Sequence, residues 1–545
     1  MKMDRRLLFA FAVLALGCAL AGAAEMKAGG GAETDRAIGQ RIYREGILPS
    51  GKPMAGMAPA GVLRTGKDAA CIACHRRSGF GTAEGSFVIR PITGPDLYQT
   101  RVVTAANPRI AHQLGKPLRP AYDDAALARA IRDGVDITGR NMQGMMPRYA
   151  LDDREMTALL TYLKTLFAEE AVGVNATEIH FATVIQPNVS EAKRRAMLDV
   201  LEAFVRDKNA GVRSEEARRT AGTMRMHRAY RKWVLHVWDL VGTPESWGGQ
   251  LEERYRQQPV FALVAGLGAA TWQPIHAFAE QFDVPSVLPL TDLPATGADN
   301  FYTVYFSRGI SLEADALAQF LGNRRDGGRI IQVYRPDDAG AVAAEAFRAA
   351  LPGADRRLED RPLVGEPDAG FWRELAGTSS TAIVLWLGRR DLVDANGAVG
   401  GPEMSPVYLS TTLLDGQVGV PGIPALLTYP WDVPATREPR VLRSKLWLRM
   451  HGLDSPDEGV QAVAVNTLFA ITVAGDALAH LQDSFSRDYF VERVEHNINT
   501  TLMPSLYPHM NLGPGKRFAS KGAYIVRPEA PPNQALTAVS EWIVP

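Results

Sequence analysis

Two hydrophobic periodicities divide this chain into a short helical region and a long region of alternating strands and helices. In the first region, apolar residues recur at helical spacing over residues 35–44, 124–134 and 152–167. A Gly-, Pro- and Met-rich stretch over residues 48–60 is typical of a loop. The pattern predicts a small all-α unit over residues 33–170.

From residue 177 onward, short runs that are apolar along their whole length alternate with helical patterns. The expected strands are 179–185, 234–237, 261–265, 286–288, 329–333, 382–387 and 407–409, and the expected helices between them are 190–207, 273–282 and 341–351. Fully apolar strands alternating with helices indicate parallel sheets covered on both faces. Because the region is too long for one such unit, the pattern predicts a two-lobed α/β module over residues 177–530.

A late segment, residues 457–481, has an almost wholly apolar helical pattern and is expected to be a buried helix. The start of this helix has the residues of an N-cap, a first-turn proline and a capping box, which are Ser455, Pro456 and Glu458. The sequence therefore predicts the start of this helix as well as its burial.

The first 24 residues have the order of a secretory signal peptide. A basic start, Met1 to Arg6, is followed by an apolar run to Leu20 and by small residues suited to cleavage. The run is short for a membrane span, and no later segment is expected to span a membrane after signal removal. Lipid attachment at Cys18 is disfavoured because Ala15 stands where such signals prefer leucine. The expected location is the periplasm.

The net charge excludes one class of partner. The chain has 60 Lys and Arg against 60 Asp and Glu, and loss of the basic signal leaves a net charge near −2. Nucleic-acid-binding proteins need a strongly basic face, so no nucleic-acid partner is expected.

The sequence Cys71-Ile72-Ala73-Cys74-His75 carries the clearest chemistry. C-x-x-C-H is the spacing at which two thiols attach a c-type haem and the adjacent histidine becomes an axial ligand of its iron. The chain has three cysteines, and Cys18 lies in the signal. A disulfide or half of a zinc site are the alternatives, but a zinc site needs about four ligands and no second cysteine pair is present. One covalent haem c is therefore predicted.

The sixth ligand of that iron decides the chemistry. Met142, Met145 and Met146 lie in a Gly-containing loop before the 152–167 helix, where a thioether suits an electron carrier. Filling of core gaps is the alternative role for such methionines, and His112 leaves open a bis-histidine site. With both axial positions filled, electron transfer is favoured over catalysis, whereas a haem enzyme would need a labile methionine.

Residues 33–170 resemble the class I c-type cytochromes. The resemblance is carried by the C-x-x-C-H motif, by the turn Gly94-Pro95-Asp96-Leu97, and by Met146-Pro147 ahead of a closing helix. It implies that the Pro95 carbonyl accepts a hydrogen bond from His75, and that Met146 is the second iron ligand, with Met145 as the runner-up. The longer spacing from His75 to Met146 implies an insertion in residues 101–119.

Residues 177–530 resemble the type I periplasmic binding proteins of the branched-chain amino-acid-binding group. The resemblance is carried by the order of elements, by the strand and loop Leu263-Val264-Ala265-Gly266, and by Asp337-Asp338-Ala339-Gly340 at the start of a helix. It implies a ligand cleft between two lobes, at strand carboxyl ends. The candidate cleft residues are Thr271, Trp272, Thr291 and Asp292. The loop before Thr271 could also be only a turn, and the family's usual serine is not obvious there.

Together these patterns predict a periplasmic mono-haem c-type cytochrome for electron transfer, fused to a solute-binding-like module. The module would dock a periplasmic redox partner protein or sense a small molecule. A solute-binding receptor for an amino acid or small carboxylate, with an accessory haem, is the alternative. Catalysis is not expected, and a haem enzyme is the third hypothesis.

Overall fold

The computed structural model describes most of the chain from residue 34 onward. The described residues are 34–84, 87–102, 117–142, 146–167, 171–220, 231–295, 301–323, 328–395, 397–400, 404–481, 484–529 and 535–545. The predicted signal peptide, His112 and Met145 lie outside them. The chain forms two compact units, residues 1–170 and 171–545.

The described part of the first unit contains five α-helices and a small amount of sheet. Its helices are α1 (34–45), α2 (Ile72–His75), α3 (Gly94–Tyr98), α4 (Asp124–Asp133) and α5 (Asp153–Thr165). Its strands are β1 (Ala55–Ala58), β2 (Val62–Thr65), β3 (Ala83–Glu84), β4 (Phe87–Val88), β5 (Arg101–Val102), β6 (Pro117–Arg119) and β7 (Arg148–Tyr149). All pairings within this unit are antiparallel, and β1 lies between β2 and β7.

The expectation of an all-α unit is therefore wrong in part, and the predicted loop over residues 48–60 contains β1. This strand alternates exposed and buried positions along Ala-Gly-Met-Ala. Small residues of this kind give no recognisable strand pattern, because alternation is visible only where apolar and polar side chains differ. A strand made of them is identified only by its partners.

The core of the first unit lies where α1 crosses α5. A Cβ atom on Gly39 would lie 2.1 Å from the carbonyl oxygen of Ala158, so only glycine allows this approach. Beside it the rings of Tyr43 and Tyr162 are 5.3 Å apart. The start of α5 is fixed by Asp152, whose side chain accepts from the Glu155 N–H in a complete capping box.

The second unit begins with a parallel sheet that forms one lobe. Its elements are β8 (Glu178–Ile185), α6 (Glu191–Thr220), β9 (Lys232–Asp239), α7 (Pro244–Gln257), β10 (Ala262–Val264), β11 (Leu267–Gly268), α8 (Gln273–Gln281), β12 (Ser286–Val287), β13 (Leu290–Thr291) and β14 (Thr303–Val304). β8 is central, with β9 along one edge and β10 and β11 along the other. Residues with positive φ separate consecutive strands at two places in this sheet. Ala265 and Gly266 lie between β10 and β11, and Leu288 lies between β12 and β13.

The second sheet forms the other lobe. The remaining elements are α9 (Ile310–Gly322), β15 (Ile330–Tyr334), α10 (Ala339–Ala350), α11 (Ala354–Arg357), β16 (Leu358–Pro362), α12 (Ala369–Gly377), β17 (Ala382–Trp386), β18 (Val407–Ser410), β19 (Ala425–Tyr429), α13 (Pro434–Met450), α14 (Glu458–Leu481), α15 (Arg487–Asn497), β20 (Tyr524–Pro528) and β21 (Leu536–Ala538). The order is β16-β15-β17-β18-β19-β20-β21, parallel up to β19 and antiparallel beyond it.

The chain passes between the two lobes three times. α14 and α15 follow strands of the second sheet, but they pack in one core cluster with β8 and β10 of the first. The chain then returns through residues 517–523 to β20. The prediction of a two-lobed α/β module is confirmed, and these crossings decide where the space between the lobes lies.

The predicted late helix is α14, and its burial is confirmed. It is long and apolar enough to cross a membrane by length and composition, but 89% of its most apolar window is buried inside the protein. The N-cap differs from the predicted Ser455. Asp457 accepts the Val460 N–H at 2.8 Å, while the Ser455 hydroxyl accepts the N–H of Asp457.

Candidate haem site and interlobe cleft

The C-x-x-C-H motif forms a single helical turn. The carbonyl oxygen of Cys71 accepts the backbone N–H of Cys74 at 3.2 Å and that of His75 at 2.8 Å. Arg76, with φ of 64°, ends the turn, and the hydroxyl of Tyr43 on α1 donates to the Arg76 carbonyl at 2.7 Å. The turn therefore places two thiols and an imidazole in one short segment that is tied to the core.

His75 is oriented by a hydrogen bond to the main chain. Its Nδ1 lies 3.1 Å from the carbonyl oxygen of Arg90. Because a carbonyl can only accept, Nδ1 carries the proton and Nε2 keeps its lone pair for a metal. Burial lowers the pKa of His75 to about 4, so the imidazole is in its neutral, metal-binding form.

The expected hydrogen bond from His75 to Pro95 is not the one that forms. Pro95 lies in the first turn of α3, and its carbonyl accepts the Gln99 N–H at 3.2 Å. Arg90 precedes Pro91, and a residue before proline is held in extended conformation, so its carbonyl is not used by a helix. The carbonyl that serves the histidine therefore lies five residues earlier than the resemblance implied.

Cys71 and Cys74 are thiols with no disulfide between them. Burial raises the pKa of the Cys71 thiol to about 12, so it is not a spontaneously reactive thiolate.

Met146 borders the same core cluster as Cys71 and is partly buried against it. One side chain binds the main chain of both Met146 and Met142. Arg148 donates to the carbonyl of Met146 at 2.9 Å and to that of Met142 at 3.0 Å. A Cβ atom on Gly134 would lie 1.8 Å from Cζ of Arg148, so the glycine makes room for this clamp. Sequence reasoning missed both Gly134 and Arg148, because neither is a ligand.

These residues fit a covalent haem. The donor set is two thiols, a neutral imidazole with Nε2 unprotonated, and a thioether that borders the same cluster. Among the described residues no three His, Cys, Asp or Glu side chains gather as a metal-ion site, so the zinc alternative lacks further ligands there.

In the α/β unit, the four predicted cleft residues do not share one environment. Trp272 is fully buried in the lobe core, beneath Gly266 and Gly268, and cannot form the expected apolar wall of a cleft. The reason is the glycine pair, which leaves room for the indole directly under the loop. Thr271 is partly exposed, and its hydroxyl accepts the Gln273 N–H at 3.2 Å.

The loop before Thr271 is closed by a glutamine that sequence reasoning missed. Gln186, at the end of β8, accepts the Ala270 N–H at 2.8 Å and donates to the Thr271 carbonyl at 3.0 Å. The Ala270 N–H is therefore engaged within the protein and is not available to an anionic ligand. The sequence signal for Gln186 was a polar residue directly after a buried strand.

Thr291 and Asp292 lie at the next strand end, after β13. The Asp292 side chain is exposed to solvent, yet the surrounding protein raises its pKa to about 6. Desolvation by the protein around the carboxylate is the main cause of the raised pKa; the Lys193 charge opposes the shift and the Asp415 charge adds to it. Asp292 is therefore close to one charged residue of each lobe, which places it beside the space between the lobes.

Lys193 and Asp415 form an ion pair between the two lobes beside Asp292. Lys193 opens α6 in the first lobe, and Asp415 follows β18 in the second. Neither was predicted from the sequence, since 222 residues separate them. The pair identifies Asp292 as the predicted residue that faces the other lobe.

A second carboxylate, Glu313 on α9, is fully buried close to this cleft. It accepts hydroxyl donors from Ser410 at 2.7 Å and from Thr428 at 2.5 Å, and a third from Thr412. Burial raises its pKa to about 7 despite these donors. Glu313 and Asp315 are the two carboxylates in the mostly apolar sequence Ile310–Ala318, and nothing in that pattern shows which of them is fully buried.

Comparison with known proteins gives one family match and several similar folds. The family model for cytochrome c matches residues 65–167. A leucine-binding protein from Thermotoga maritima is 14% identical, with a TM-score of 0.48, over 67% of this chain and 99% of that one. A branched-chain amino acid ABC transporter protein from Thermus thermophilus, with bound valine, is 12% identical, with a TM-score of 0.49, over 68% and 98%. An ABC transporter substrate-binding protein from Sphaerobacter thermophilus is 14% identical, with a TM-score of 0.49, over 68% and 98%. None of the curated proteins compared matches the chain.

Proposed function

We propose that this chain, with a cytochrome c domain at residues 65–167 ahead of a two-lobed α/β unit, is a periplasmic mono-haem electron carrier. The observation that carries the proposal is the His75 imidazole, whose Nδ1 is committed to a carbonyl so that Nε2 is available to iron. The haem, when bound, supplies one-electron transfer.

The residues of this chain then have separate tasks. Cys71 and Cys74 would hold the group covalently, and Arg90 keeps the His75 ring in one tautomer. Met146 is the proposed second ligand, and Arg148 holds its main chain. With His75 and Met146 both bound to the iron, the protein would leave oxygen and peroxide no binding position, which suits electron transfer rather than catalysis.

The α/β unit has the proposed role of binding a small molecule or docking a periplasmic redox partner. Asp292 faces a cleft that the Lys193–Asp415 pair spans, and such a cleft suits a polar ligand that bridges two lobes. A receptor for an amino acid or small carboxylate, with the haem as an accessory, is the second candidate on the same observation.

The absorption spectrum of the haem-loaded protein tests the electron-carrier proposal. We expect a low-spin spectrum with the far-red band of an iron–thioether bond. Met146→Ala should abolish this band while the haem stays covalently attached. A high-spin ferric spectrum in the unmodified protein would overturn the closed site and favour a haem enzyme.

Met142→Ala is the matched control. Arg148 binds the carbonyls of both methionines, so truncating either side chain leaves that clamp in place. The control should keep the far-red band, as should Met145→Ala. Loss of the band in Met145→Ala alone would assign the ligand to Met145.

A thermal-shift screen with amino acids and small carboxylates separates the receptor from the electron carrier. Binding should raise the unfolding temperature of the α/β unit. Asp292→Asn should abolish the rise, whereas Asp394→Asn, an exposed carboxylate after β17, should not. If no compound in the screen shifts the unfolding temperature, partner docking becomes the remaining role.

A further inference from the structure

Two of the three crossings between the lobes line a cavity that is separate from the cleft residues described above. Its volume is about 730 Å³, within the range of small-molecule sites. Arg308 lines it from the first crossing, which joins β14 to α9, and residues 515–518, 520 and 521 line it from within and just before the third crossing. The crossings are paired, since the Ser520 N–H donates to the Phe306 carbonyl at 2.7 Å.

The cavity is lined by more cationic than anionic side chains. Arg308 is neutralised by Asp315, which also lines the cavity, and Arg517 by buried Glu495. Lys516 and Lys521 have no acidic partner in the described part of the chain.

Ser520 and Arg517 are buried in the wall of the cavity, and the Ser520 hydroxyl and the Arg517 Nε have no hydrogen-bond partner in the described structure. Both atoms have almost no accessible surface, so the unpaired cationic groups of the lining that a ligand can reach are those of Lys516 and Lys521.

The two unpaired lysines are close enough to affect each other. Lys516 lowers the pKa of the Lys521 ammonium, in addition to the larger effect of burial, and the Lys521 ammonium contacts the Asn511 side chain. An anion between them would relieve this repulsion. The apolar side of the cavity is formed by Phe518, Ala350 and Pro352.

We propose that this cavity binds a small organic anion. Its oxyanion head, a carboxylate or a phosphate, is held by Lys516 and Lys521, and its apolar body lies against Phe518. Because the site joins two lobe crossings, its occupant also ties those crossings together.

Calorimetric titration of the full-length, haem-loaded protein tests this site, with phenyl phosphate and benzoate as probes at low ionic strength. We expect one-to-one binding of at least one probe, and the stronger probe identifies the head group. The Lys516→Gln and Lys521→Gln double variant should bind at least about tenfold more weakly, as loss of charge-assisted hydrogen bonds implies. Lys208→Gln, an exposed lysine on α6, should bind like the unmodified protein.

Asp292→Asn should leave binding unchanged, which separates this site from the proposed cleft. No heat with either probe, or equal affinity in the double variant with a native haem spectrum, overturns the proposal.

Discussion

Arg148 holds the proposed ligand loop without being a ligand itself. Its guanidinium joins the carbonyls of Met142 and Met146, and Gly134 leaves the space that the guanidinium occupies. Charge-assisted hydrogen bonds of this kind each contribute about 1.5–3 kcal/mol. The position of Met146 therefore depends on a residue two places along the chain.

Arg148→Gln should weaken the bond from Met146 to iron while both thioether links stay intact. We expect partial loss of the far-red band and a lower reduction potential, because a weaker thioether favours ferrous iron less. Spectroscopy and potentiometric titration measure both. Arg132→Gln, which loses a bond to the Leu151 carbonyl, is the control and should keep the band. An unchanged band and potential in Arg148→Gln would contradict the clamp.

Glu313 should make the α/β unit less stable as pH rises. Its folded pKa of about 7 exceeds its ordinary value of 4.5, so the folded form holds a proton that the unfolded chain releases first. The contribution to stability is fully present below pH 4.5 and is lost by about pH 7. The difference corresponds to roughly 3 kcal/mol. Asp292 acts in the same direction but is exposed.

Urea unfolding followed by tryptophan fluorescence at pH 5 and pH 8 measures this effect. Glu313→Gln should remove most of the difference in unfolding free energy between the two pH values. Glu345→Gln, on the exposed face of α10, should keep it. The assignment to Glu313 fails if both variants retain the pH dependence of the unmodified protein.

The helices and strands of this protein differ in how well their positions could be predicted from neighbouring residues in the sequence. α5 could be predicted because its apolar spacing and the Asp152–Glu155 capping box lie within the helix and its first turn. β1 could not, because its Ala, Gly and Met residues form a strand only where β2 and β7 supply partners. The N-cap of α14 was predicted at Ser455 but lies at Asp457, because two residues that can cap a helix lie close together there.

The crossing of α1 and α5 depends on Gly39. Gly39→Ala places a Cβ atom against the Ala158 main chain, which cannot yield without moving α5. We expect a loss of about 1–3 kcal/mol in the stability of the first unit. Denaturant unfolding followed by haem absorbance measures it.

Gly248→Ala in α7 is the matched control, since nothing lies within 4 Å of the added methyl group. It should leave the haem-monitored transition unchanged and should stabilise the α/β unit by up to about 1 kcal/mol through helix propensity. Equal haem-monitored stability in Gly39→Ala and the unmodified protein would show that the crossing can relax.

At the scale of the whole molecule, the two units have separate cores. The cluster that contains Cys71, Leu159 and Met146 lies within the first unit, and the remaining clusters lie within the second. We therefore expect residues 33–170 and 171–545 to fold when they are produced separately. The haem spectrum of the first fragment should match that of the full chain, and the second should unfold cooperatively by fluorescence. A haem spectrum that requires the second fragment would contradict independence.

The sequence by itself determined the haem motif, the main helices and the two-lobed α/β order, because each is a pattern among near neighbours in the chain. Tertiary structure alone decided that Arg90 rather than Pro95 orients His75, because the Pro95 carbonyl accepts a hydrogen bond at the end of helix α3. It also decided that Trp272 lies in the core while Asp292 faces a cleft. These outcomes depend on groups such as Lys193 and Asp415, which are far apart in the chain and meet only when the lobes are built.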